Sequence, residues 1–500
     1  PKLPESRAAA RLARVDGLKP ELREVLSMAA VFGPTFWLGG LVALARTRTV
    51  SDDQWVIPWV TDRTQEQLSE LIEEAIADDY LVRHDVSAIT DEEEIAFTQR
   101  EECYALYEAL PSDRVAFFHR MIAQWLSRLD FVQAHQWHEV VANHYELGLR
   151  PERAADRYLE AAKQSLETYD LNKAQAFFRR AFALVDLSRA DLVIPILRGL
   201  GDAYYAAGDF QNARHTYGAM LEASLIPPSR RIGAEAWLKL GRAHRGMGMY
   251  RKALACFQHA HSLYQDSEFS TGVADSLHAM GKLKWLQGEP GAYEEALRDF
   301  RDSLALRREA SEPEETAETL AQIANIMLHQ GDIESAEGRY NEALEIRRKI
   351  GQRAGQIGPY VGLGGAAFAK GDIEGAIRTW QVGLSIAEEV GDKDRLSVLL
   401  NNLGEMFIRT EDLERADQNL QRAWLLSKEI GDQRTQAEVA RNLAVLALKN
   451  LAFEEATRHI TEAVRTSRAI NSRPTLGMAL RTQAEIVSNQ LYGDESQPSE

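Results

Sequence analysis

Two columns of small residues repeat through the C-terminal part of the chain, and no other feature restricts the possible folds as strongly. The first column consists of Gly201, Gly241, Gly281, Ala324, Gly364, Gly404 and Ala444. The second consists of Ala213, Ala253, Ala296, Ala336, Ala376, Ala416 and Ala456. Both columns advance by 40 residues, except for one step of 43 at the insertion QGEPGAYEEA. Because two independent columns keep the same register, they indicate a structural repeat.

Each repeat has the pattern of a helical hairpin. Apolar residues recur at helical spacing on both sides of a Gly-Asp pair such as Gly371-Asp372. Glycine can adopt the left-handed conformation that ends one helix, and aspartate can cap the next helix. The small columns suit positions where two helix axes cross closely. Since one hairpin cannot bury both of its apolar faces, neighbouring hairpins must stack, and the expected fold is all-α.

These residues resemble the tetratricopeptide repeat. The small residue after an apolar one, the Gly-Asp turn, the alanine and the bulky Phe257, Phe300, Tyr340 or Trp380 match its pattern. The 40-residue unit is similar to the variety in kinesin light chains and Pins-type adaptors. The resemblance covers roughly residues 190–490. It implies a right-handed superhelix (an α-solenoid) that binds a protein or peptide along its concave face.

The region before the array has a different pattern. A helix containing Pro20 ends at Gly33-Pro34, a second helix is expected near Phe36, and a third is expected over residues 65–79. A short strand, EIAFTQ, should form at most one hairpin near residues 80–100. The pieces AAVFGPTFW, LIEEAIADDYLVRH and IAFTQREECYALYEALPSDRVAFFHRMIAQWL resemble the winged-helix segment of STAND-type signalling ATPases, which in bacteria are often joined to Ser/Thr kinases or nucleotide cyclases. Where that family usually has Phe-x-His, this chain has Phe97-Thr98-Gln99.

These patterns divide the chain into five segments. We expect a linker at 1–17, a winged-helix-like adaptor domain at 18–130 and degenerate lead-in repeats at 131–190. The tetratricopeptide array should occupy 191–490, and a disordered tail 491–500. The last helix, over residues 475–490, should cap the array with Leu476, Leu480 and Val487 on its apolar side.

Composition and missing motifs exclude several classes of function. The formal net charge of −17 argues against a general nucleic-acid or anionic-membrane binder. The two cysteines, Cys103 and Cys256, are far apart and fit packed thiols in a reducing cytoplasm. No signal peptide and no phosphate-binding loop are visible, so we expect a cytoplasmic fragment of a longer protein, with no ATPase activity of its own. Residues 65–79 contain six acidic residues and no Lys or Arg, which opposes DNA contact by this helix.

Two further patterns suggest chemistry but favour structural explanations. The string from Gly362 to Ala367 mimics a dinucleotide-binding fingerprint, but it lies inside a predicted helix with no strand before it, so packing explains it better. The histidines at 135, 138 and 144, with Glu139, lack the spacing of a zinc protease, and a surface helix explains them better than a metal site. We therefore expect no cofactor, no metal and no catalytic residue.

The predicted site is the inner face formed by the first helix of each hairpin. In the tetratricopeptide family this face carries the ligand, and its inward positions lie three before and one, four and five after the first column. The candidate partner-binding residues are Arg198, Tyr205, Arg242, Arg245, His278, Lys282, Trp285, Asn325, Asn401, Arg409 and Arg441. A cationic cluster over residues 198–285 predicts an acidic peptide segment, perhaps from the parent protein itself. A solvated charged face remains the alternative.

The favoured function is a non-catalytic sensor and scaffold at the regulatory end of a bacterial STAND-type ATPase or kinase. The main alternative is the sensor part of a transcription regulator that binds a small inducer. A stand-alone enzyme is a third and weaker alternative. A closed pocket lined by polar groups would favour the inducer, and an open basic groove would favour a peptide.

Overall fold

The computed structural model describes residues 14–46, 64–129, 137–226, 228–288, 291–470 and 472–492. His135, which the sequence singled out, lies outside these ranges, as do Trp55 and Trp59 in the segment before residue 64. The chain divides into two compact units, Pro1–Ala253 and Leu254–Glu500, and each is described by itself. No helix in the described ranges is long and apolar enough to cross a membrane.

The first unit begins with a mixed segment of helices and short strands. Its elements are α1 (Pro20–Ala30), β1 (Thr35–Trp37), α2 (Leu38–Arg46), α3 (Thr64–Ala77), β2 (Leu81–Arg83), β3 (Glu94–Phe97), α4 (Arg100–Glu108) and α5 (Ser112–Leu126). The three strands form an antiparallel sheet in the order β1-β3-β2, in which Phe36 is opposite Ile95 and Val82 is opposite Ala96. The single hairpin expected near residues 80–100 is therefore extended by a third strand.

The helix expected near Phe36 is present but begins at Leu38, because residues 35–37 form strand β1. Gly33 has a φ of 113°, so the chain turns there after the end of α1. Phe36 is fully buried, and its ring lies 6.0 Å from that of Phe97 across the sheet. A run of three or four apolar residues has no period that separates strand from helix, so only packing against β3 decides it.

The rest of the first unit consists of paired helices. They are α6 (His138–Leu147), α7 (Pro151–Glu167), α8 (Leu171–Leu184), α9 (Ala190–Ala206), α10 (Phe210–Ala223) and α11 (Arg230–Gly246). One cluster of buried apolar residues continues from Leu22, beside the sheet, to Ala236 in α11. The sheet segment and the first helical pairs therefore share a single hydrophobic core.

The described elements of the second unit are all helices, and most of them pair into hairpins. Its helices are α12 (Tyr250–Asp266), which crosses the boundary between units, α13 (Ser270–Gln287), α14 (Ala292–Glu309), α15 (Pro313–His329), α16 (Ile333–Lys349), α17 (Ile357–Ala369), α18 (Ile373–Val390), α19 (Lys393–Arg409), α20 (Leu413–Ile430), α21 (Gln433–Lys449), α22 (Phe453–Ala469) and α23 (Arg473–Tyr492). Odd-numbered helices from α9 onward are the first helices of their hairpins.

The small columns lie where the sequence predicted, at the crossing of the two helices of a hairpin. A Cβ atom added to Gly201 would overlap the ring of Tyr217, and one added to Gly364 would overlap the indole of Trp380. At the turns, Gly371 has a φ of 84°, and the Asp372 carboxylate accepts a hydrogen bond of 2.8 Å from the Gly375 N–H. The prediction of a mostly helical repeat fold is confirmed.

Candidate binding site

On the inner face of the first unit, Arg198 is already paired. Its Nε and Nη2 atoms donate to the two carboxylate oxygens of Glu235, at 2.7 and 2.8 Å. Such a bidentate pair satisfies the guanidinium that the sequence assigned to an acidic ligand. Arg198 therefore stays a predicted partner contact, but Glu235 on the next first helix already neutralises its charge within the unit.

A second pair joins the same two helices. Lys239 donates from Nζ to the carboxylate oxygens of Asp202 at 2.7 and 3.0 Å, and the Tyr217 hydroxyl donates to Asp202 at 2.7 Å. Burial and the nearby carboxylate raise the pKa of Tyr217. The sequence analysis missed Glu235 and Lys239, although both lie 37 residues after their partners. That shared offset could have identified a ladder of contacts between α9 and α11.

The other three candidates of the first unit are only partly satisfied by their neighbours. Arg245 donates from Nη2 to the Tyr205 hydroxyl at 3.3 Å, and the Tyr205 ring lies 5.3 Å from that of Phe210. Arg242 is exposed, and it has no ion pair within the part of the chain that the structure describes. Arg242 and Arg245 therefore remain available to an anion on this face.

In the second unit, the candidates of α13 contact neighbouring side chains. His278 lies 3.1 Å from the Thr319 hydroxyl through Nδ1, and its ring packs edge-on against Phe300. Trp285 packs against Tyr293 and His329, with ring centroids 5.0 and 5.3 Å away. Lys282 is half-buried. Since the predicted 198–285 cluster includes residues of both units, the cluster as a whole stays a prediction.

Asn401 is wrong as a ligand contact, because it belongs to the core. It is 4 % exposed, and its side-chain oxygen accepts a hydrogen bond of 2.9 Å from Asn442. Arg409 and Arg441 both bind Glu405, at 2.9 and 3.2 Å, so they are also paired within the unit.

The inner surface of the second unit contains a cleft of about 530 Å³ between α15, α17 and α19. Glu318, Gln322 and Asn325 of α15 line one side. Gly358, Gly362 and Gly365 of α17 line its floor, and Arg395 and Asn402 of α19 line the other side. Of the candidates predicted from sequence, only Asn325 contributes to this cleft.

Glycines of α17 leave the space that forms the cleft. A Cβ atom at Gly362 would overlap the Tyr340 ring, so packing requires that glycine. A Cβ atom at Gly358 or Gly365 would meet only Arg395 at 3.4 Å or Leu328 at 3.6 Å, which is ordinary contact distance. The fingerprint-like string thus has a packing role at Gly362 and Gly364, whereas Gly365 opens onto the cleft. The signal that could have revealed this was the 3-4-3 spacing of Gly355, Gly358, Gly362 and Gly365.

The charges of the cleft leave one cation without an internal partner. Arg347 is 8 % exposed and is bound by Gln352 and by Glu318, the latter at 3.4 Å. Asp392 caps α19 by accepting from the Arg395 N–H at 2.9 Å. The exposed Arg395 guanidinium forms no ion pair with a described residue.

Amide groups add hydrogen-bonding capacity beside Arg395. The Asn325 side-chain oxygen accepts from the Tyr340 hydroxyl at 2.6 Å, which leaves its amide nitrogen as a donor. Across the described residues, the Asn402 side chain has no hydrogen-bond partner. The cleft therefore presents the guanidinium of Arg395, which has no ionic partner among the described residues, and the amide groups of Asn325 and Asn402.

The two described histidines of the predicted group, His138 and His144, are buried and do not lie on a surface helix as predicted. His138 is 8 % exposed, and His144 is 7 % exposed. His144 Nδ1 lies 2.8 Å from Nδ1 of His119, whose Nε2 lies 3.0 Å from the Tyr107 hydroxyl. Within the described ranges, no three His, Cys, Asp or Glu side chains are grouped as metal ligands.

Both cysteines are buried, as expected for packed thiols. Burial raises the pKa of Cys103 to about 12 and also raises that of Cys256. A thiol that stays protonated at neutral pH is a poor nucleophile. Neither cysteine is therefore suited to catalysis.

Comparisons with known proteins agree with the repeat assignment. The tetratricopeptide repeat family matches residues 234–292 and 290–349, which is well under half of the chain. No curated protein sequence matches. A STAND protein with a tetratricopeptide repeat sensor from Pyrococcus horikoshii has a similar fold, with a TM-score of 0.50 at 15 % identity over 97 % of this chain and 67 % of that chain.

Two other solved structures are more distant. Aspartyl phosphate phosphatase F from Bacillus subtilis has a TM-score of 0.48 at 14 % identity, covering 71 % of this chain and 89 % of its own. The Rap conjugation gene regulator of plasmid pLS20, in complex with the Phr* peptide, has a TM-score of 0.46 at 16 % identity, covering 64 % and 92 %. Scores below 0.5 are too low to transfer a property. Residues 234–349 thus match the tetratricopeptide repeat, and the chain shares its fold, distantly, with a STAND protein that has such a sensor.

Proposed function

We propose that this protein is a non-catalytic binding module that holds an extended peptide segment in the cleft between α15, α17 and α19. The observation that carries the proposal is the cleft itself, a recess of about 530 Å³ on the inner face of the repeats. Its polar groups are not fully used within the unit. The match to tetratricopeptide repeats supports a binding role for this face.

The chemistry of the cleft suits a peptide with a carboxylate. Arg395 can bind a carboxylate in bidentate fashion. Asn325 and Asn402 carry side-chain amides, and such groups bind peptide N–H and C=O groups by donating and accepting. The missing side chains at Gly358 and Gly365 let a ligand backbone approach α17 closely. The favoured ligand is therefore an acidic segment in extended conformation.

The wider role that we propose is regulatory. The fold is like that of a STAND protein with a repeat sensor, so the described helices would form the sensing part of a bacterial signalling ATPase or kinase. The N-terminal segment with the three-stranded sheet would couple this sensor to the rest of the parent protein. Its helix α3 has no Lys or Arg, which favours a coupling role over DNA binding.

Arg242 and Arg245 in the first unit provide a second proposed contact for an acidic segment. Tyr205 orients Arg245, and Arg242 is exposed, so both can face an anion. A charge reversal at both positions should weaken binding of the native partner, most strongly at low salt. Unchanged affinity of a folded Arg242→Glu/Arg245→Glu variant at low salt would restrict the ligand to the cleft.

The test of the cleft uses two glycines of the same unit. Gly365→Gln places a side chain in the cleft, whereas Gly338→Gln on α16 adds the same side chain where a Cβ meets nothing within 4 Å. Both changes favour the helix by removing a glycine. Peptides selected from a displayed library on the full chain should lose at least tenfold in affinity with Gly365→Gln and keep it with Gly338→Gln, as measured by fluorescence anisotropy.

A charge reversal at Arg395 provides a second test of the cleft. Arg395→Glu should remove binding of acidic peptides while the thermal unfolding temperature stays close to that of the parent, because the side chain is exposed. Equal affinity of the selected peptides for the parent, Gly365→Gln and Arg395→Glu would show that the cleft is not the site.

A small anionic ligand is the second candidate, because the cleft volume lies within the range of small-molecule sites. This corresponds to the inducer alternative. Free dicarboxylates that raise the unfolding temperature of the parent but not of Gly365→Gln, with no peptide selected from the library, would favour this candidate.

A further inference from the structure

The first unit contains a recess of its own, which shares no residue with the cleft of the second unit. It has a volume of about 370 Å³ and lies where α1, α4, α5 and α6 meet. Val31 and Phe32, just after α1, and Val140 and Leu147 of α6 give it apolar walls. A recess of this size and character is typical of small-molecule sites. It is called the histidine pocket below, because His119 and His144 also line it.

The histidine pocket has no formal charge in its lining. Among the described residues that line it there is no Asp, Glu, Lys or Arg. Burial also lowers the pKa of His119 and of His144 well below neutral pH, so both imidazoles are uncharged. A charged ligand would lose its hydration in this pocket without gaining an ionic partner. The lining therefore favours an uncharged ligand.

A chain of hydrogen bonds leads from Tyr107 to the pocket. The Tyr107 hydroxyl lies 3.0 Å from Nε2 of His119, and Nδ1 of His119 lies 2.8 Å from Nδ1 of His144. Because a neutral imidazole has one donor and one acceptor nitrogen, the donor at one end determines every proton position in the chain. A phenol O–H is a stronger acid than the N–H of a neutral imidazole. Tyr107 therefore donates to His119, and His119 donates to His144.

This direction leaves the proton of His144 on Nε2, as a donor at the pocket. His144 is 7 % exposed, and its Nε2 has no hydrogen-bond partner among the described residues. A buried N–H without an acceptor costs free energy, so an oxygen atom of a ligand would remove that cost. Asn143 also lines the pocket, and its side-chain oxygen accepts from the Tyr158 hydroxyl, which leaves its amide nitrogen as a second donor.

We propose that the histidine pocket binds an uncharged, largely apolar small molecule that carries a carbonyl group. The carbonyl oxygen accepts from the Nε2–H of His144, and the rest of the molecule packs against the apolar walls. Such a ligand contacts α4, which belongs to the strand-containing segment, and α6, which belongs to the paired helices. Because it binds the folded state alone, it stabilises the packing of these two parts of the first unit.

Acetophenone is the probe that tests the ligand class, because it is uncharged and combines one carbonyl group with an aromatic ring. Saturation-transfer NMR on the full chain should show saturable binding. Benzoate is similar in size but anionic, and ethylbenzene lacks the carbonyl group, so each should bind roughly tenfold more weakly or worse. Equal affinity for acetophenone and benzoate, or no saturable binding of acetophenone up to its solubility limit, would overturn the proposal.

A pair of tryptophan variants tests the location. Leu147→Trp takes up volume in the pocket, and Leu147 is 52 % exposed, so the fold can accept the larger side chain. Leu187→Trp is the control, because Leu187 is 71 % exposed and does not line the pocket. Acetophenone binding should be lost in Leu147→Trp and kept in Leu187→Trp. Equal binding to both variants would place the probe elsewhere and overturn the assignment of the pocket.

Nitrogen-15 NMR of the histidine rings tests the hydrogen-bond chain directly, with His144→Gln to assign the signals. His144 should carry its proton on Nε2, and acetophenone should shift the resonance of that nitrogen. Tyr107→Phe removes the donor that determines the tautomer, so it should change the tautomer of His144. Tyr104→Phe is the control, because Tyr104 lines the same pocket but its hydroxyl has no hydrogen-bond partner among the described residues. A proton on Nδ1 of His144 in the parent, or an Nε2 resonance that does not respond to acetophenone, would overturn the proposal.

Discussion

The inner positions of α9 and α11 in the first unit differ from those of α15, α17 and α19 in the second, although both sets belong to the same repeat. In the first unit, long side chains at these positions pair with one another, as Arg198 does with Glu235 and Lys239 does with Asp202. In the second unit, glycines at the equivalent positions of α17 leave a cleft, and Arg395 has no ionic partner in the described ranges.

This difference shows that the repeat determines the backbone geometry. The side chains at the inner positions determine whether that face is closed by ion pairs or open to a ligand. Hydrogen-bonded ion pairs satisfy the polar groups of the first unit internally, so a ligand there would compete with existing contacts. In the cleft, the side chains of Arg395 and Asn402 have no partner among the described residues, so a ligand that binds them would displace fewer existing contacts. The second unit is therefore the better candidate for a binding site.

The largest expected effect concerns the glycine that packing requires. Gly364→Leu would force a side chain into the Trp380 indole, which lies across the crossing of α17 and α18. Overpacking of this kind costs typically ~1–3 kcal/mol, and more where the backbone must move. Urea unfolding of the second unit should show a lower midpoint. A variant that unfolds like the parent would mean that α17 and α18 do not cross at this residue.

The next prediction concerns the buried histidines of the first unit. Burial lowers the pKa of His119 to about 4 and that of His144 to about 3, and the unfolded chain titrates near 6.5. The unfolded state therefore binds more protons below pH 6.5. The stability that depends on these neutral imidazoles is complete above pH 6.5 and is lost as the pH falls from 6.5 toward 4.

Denaturant unfolding at pH 7.5, 6.0 and 5.0 measures this loss. Each histidine that is protonated only in the unfolded chain lowers the free energy of unfolding by ~1.4 kcal/mol for every pH unit below 6.5. A His119→Gln/His144→Gln variant should show a flatter dependence on pH. His215→Gln is the control, because His215 is exposed, and it should follow the parent. Identical pH profiles of the parent and the double variant would show that the pair does not couple protons to folding.

A smaller effect is expected for the ion pairs that close the inner face of the first unit. Lys239 and Asp202 are partly buried, with side-chain exposures of 15 % and 35 %. A double-mutant cycle with Asp202→Asn and Lys239→Met should give a coupling energy of about 1 kcal/mol. The same cycle on the exposed pair Arg353 and Glu389 should give less, about 0.5 kcal/mol. Equal coupling energies for the two pairs would show that the inner pair is no stronger than a solvated surface pair.

The smallest predicted change should stabilise the protein. Gly365→Ala adds a methyl group that meets only Leu328 at 3.6 Å, and it removes the flexibility of a helical glycine. A gain of about 0.5–1 kcal/mol in the free energy of unfolding is expected. Gly364 is the adjacent residue. A lower free energy of unfolding for Gly364→Leu together with a higher one for Gly365→Ala would show that packing requires Gly364, whereas Gly365 opens the cleft. A loss of stability at 365 would show that this position is also closely packed.

Some of the candidate site could be predicted from sequence, and some could not. The register placed Asn325 on the inner face, where it lines the cleft, and it grouped Tyr205 with Arg245, which hydrogen-bond to each other. It placed Asn401 on the surface, although this residue is hydrogen-bonded to Asn442 in the core. The error arises because inward and buried positions are only one residue apart in a helix, and a polar residue fits either place when its partner is also polar.

The sequence by itself determined the paired helices, their 40-residue register, the close crossings at the glycine and alanine columns and the acidic character of α3. These features depend on local spacing and on the size of single side chains, which a linear pattern records. The tertiary structure alone decided that residues 35–37 form a strand, that Arg198 is neutralised, that glycines of α17 open a cleft and that Leu480 and Val487 of α23 are exposed. Each of these depends on which distant side chain fills the space opposite, and no residue carries that information alone.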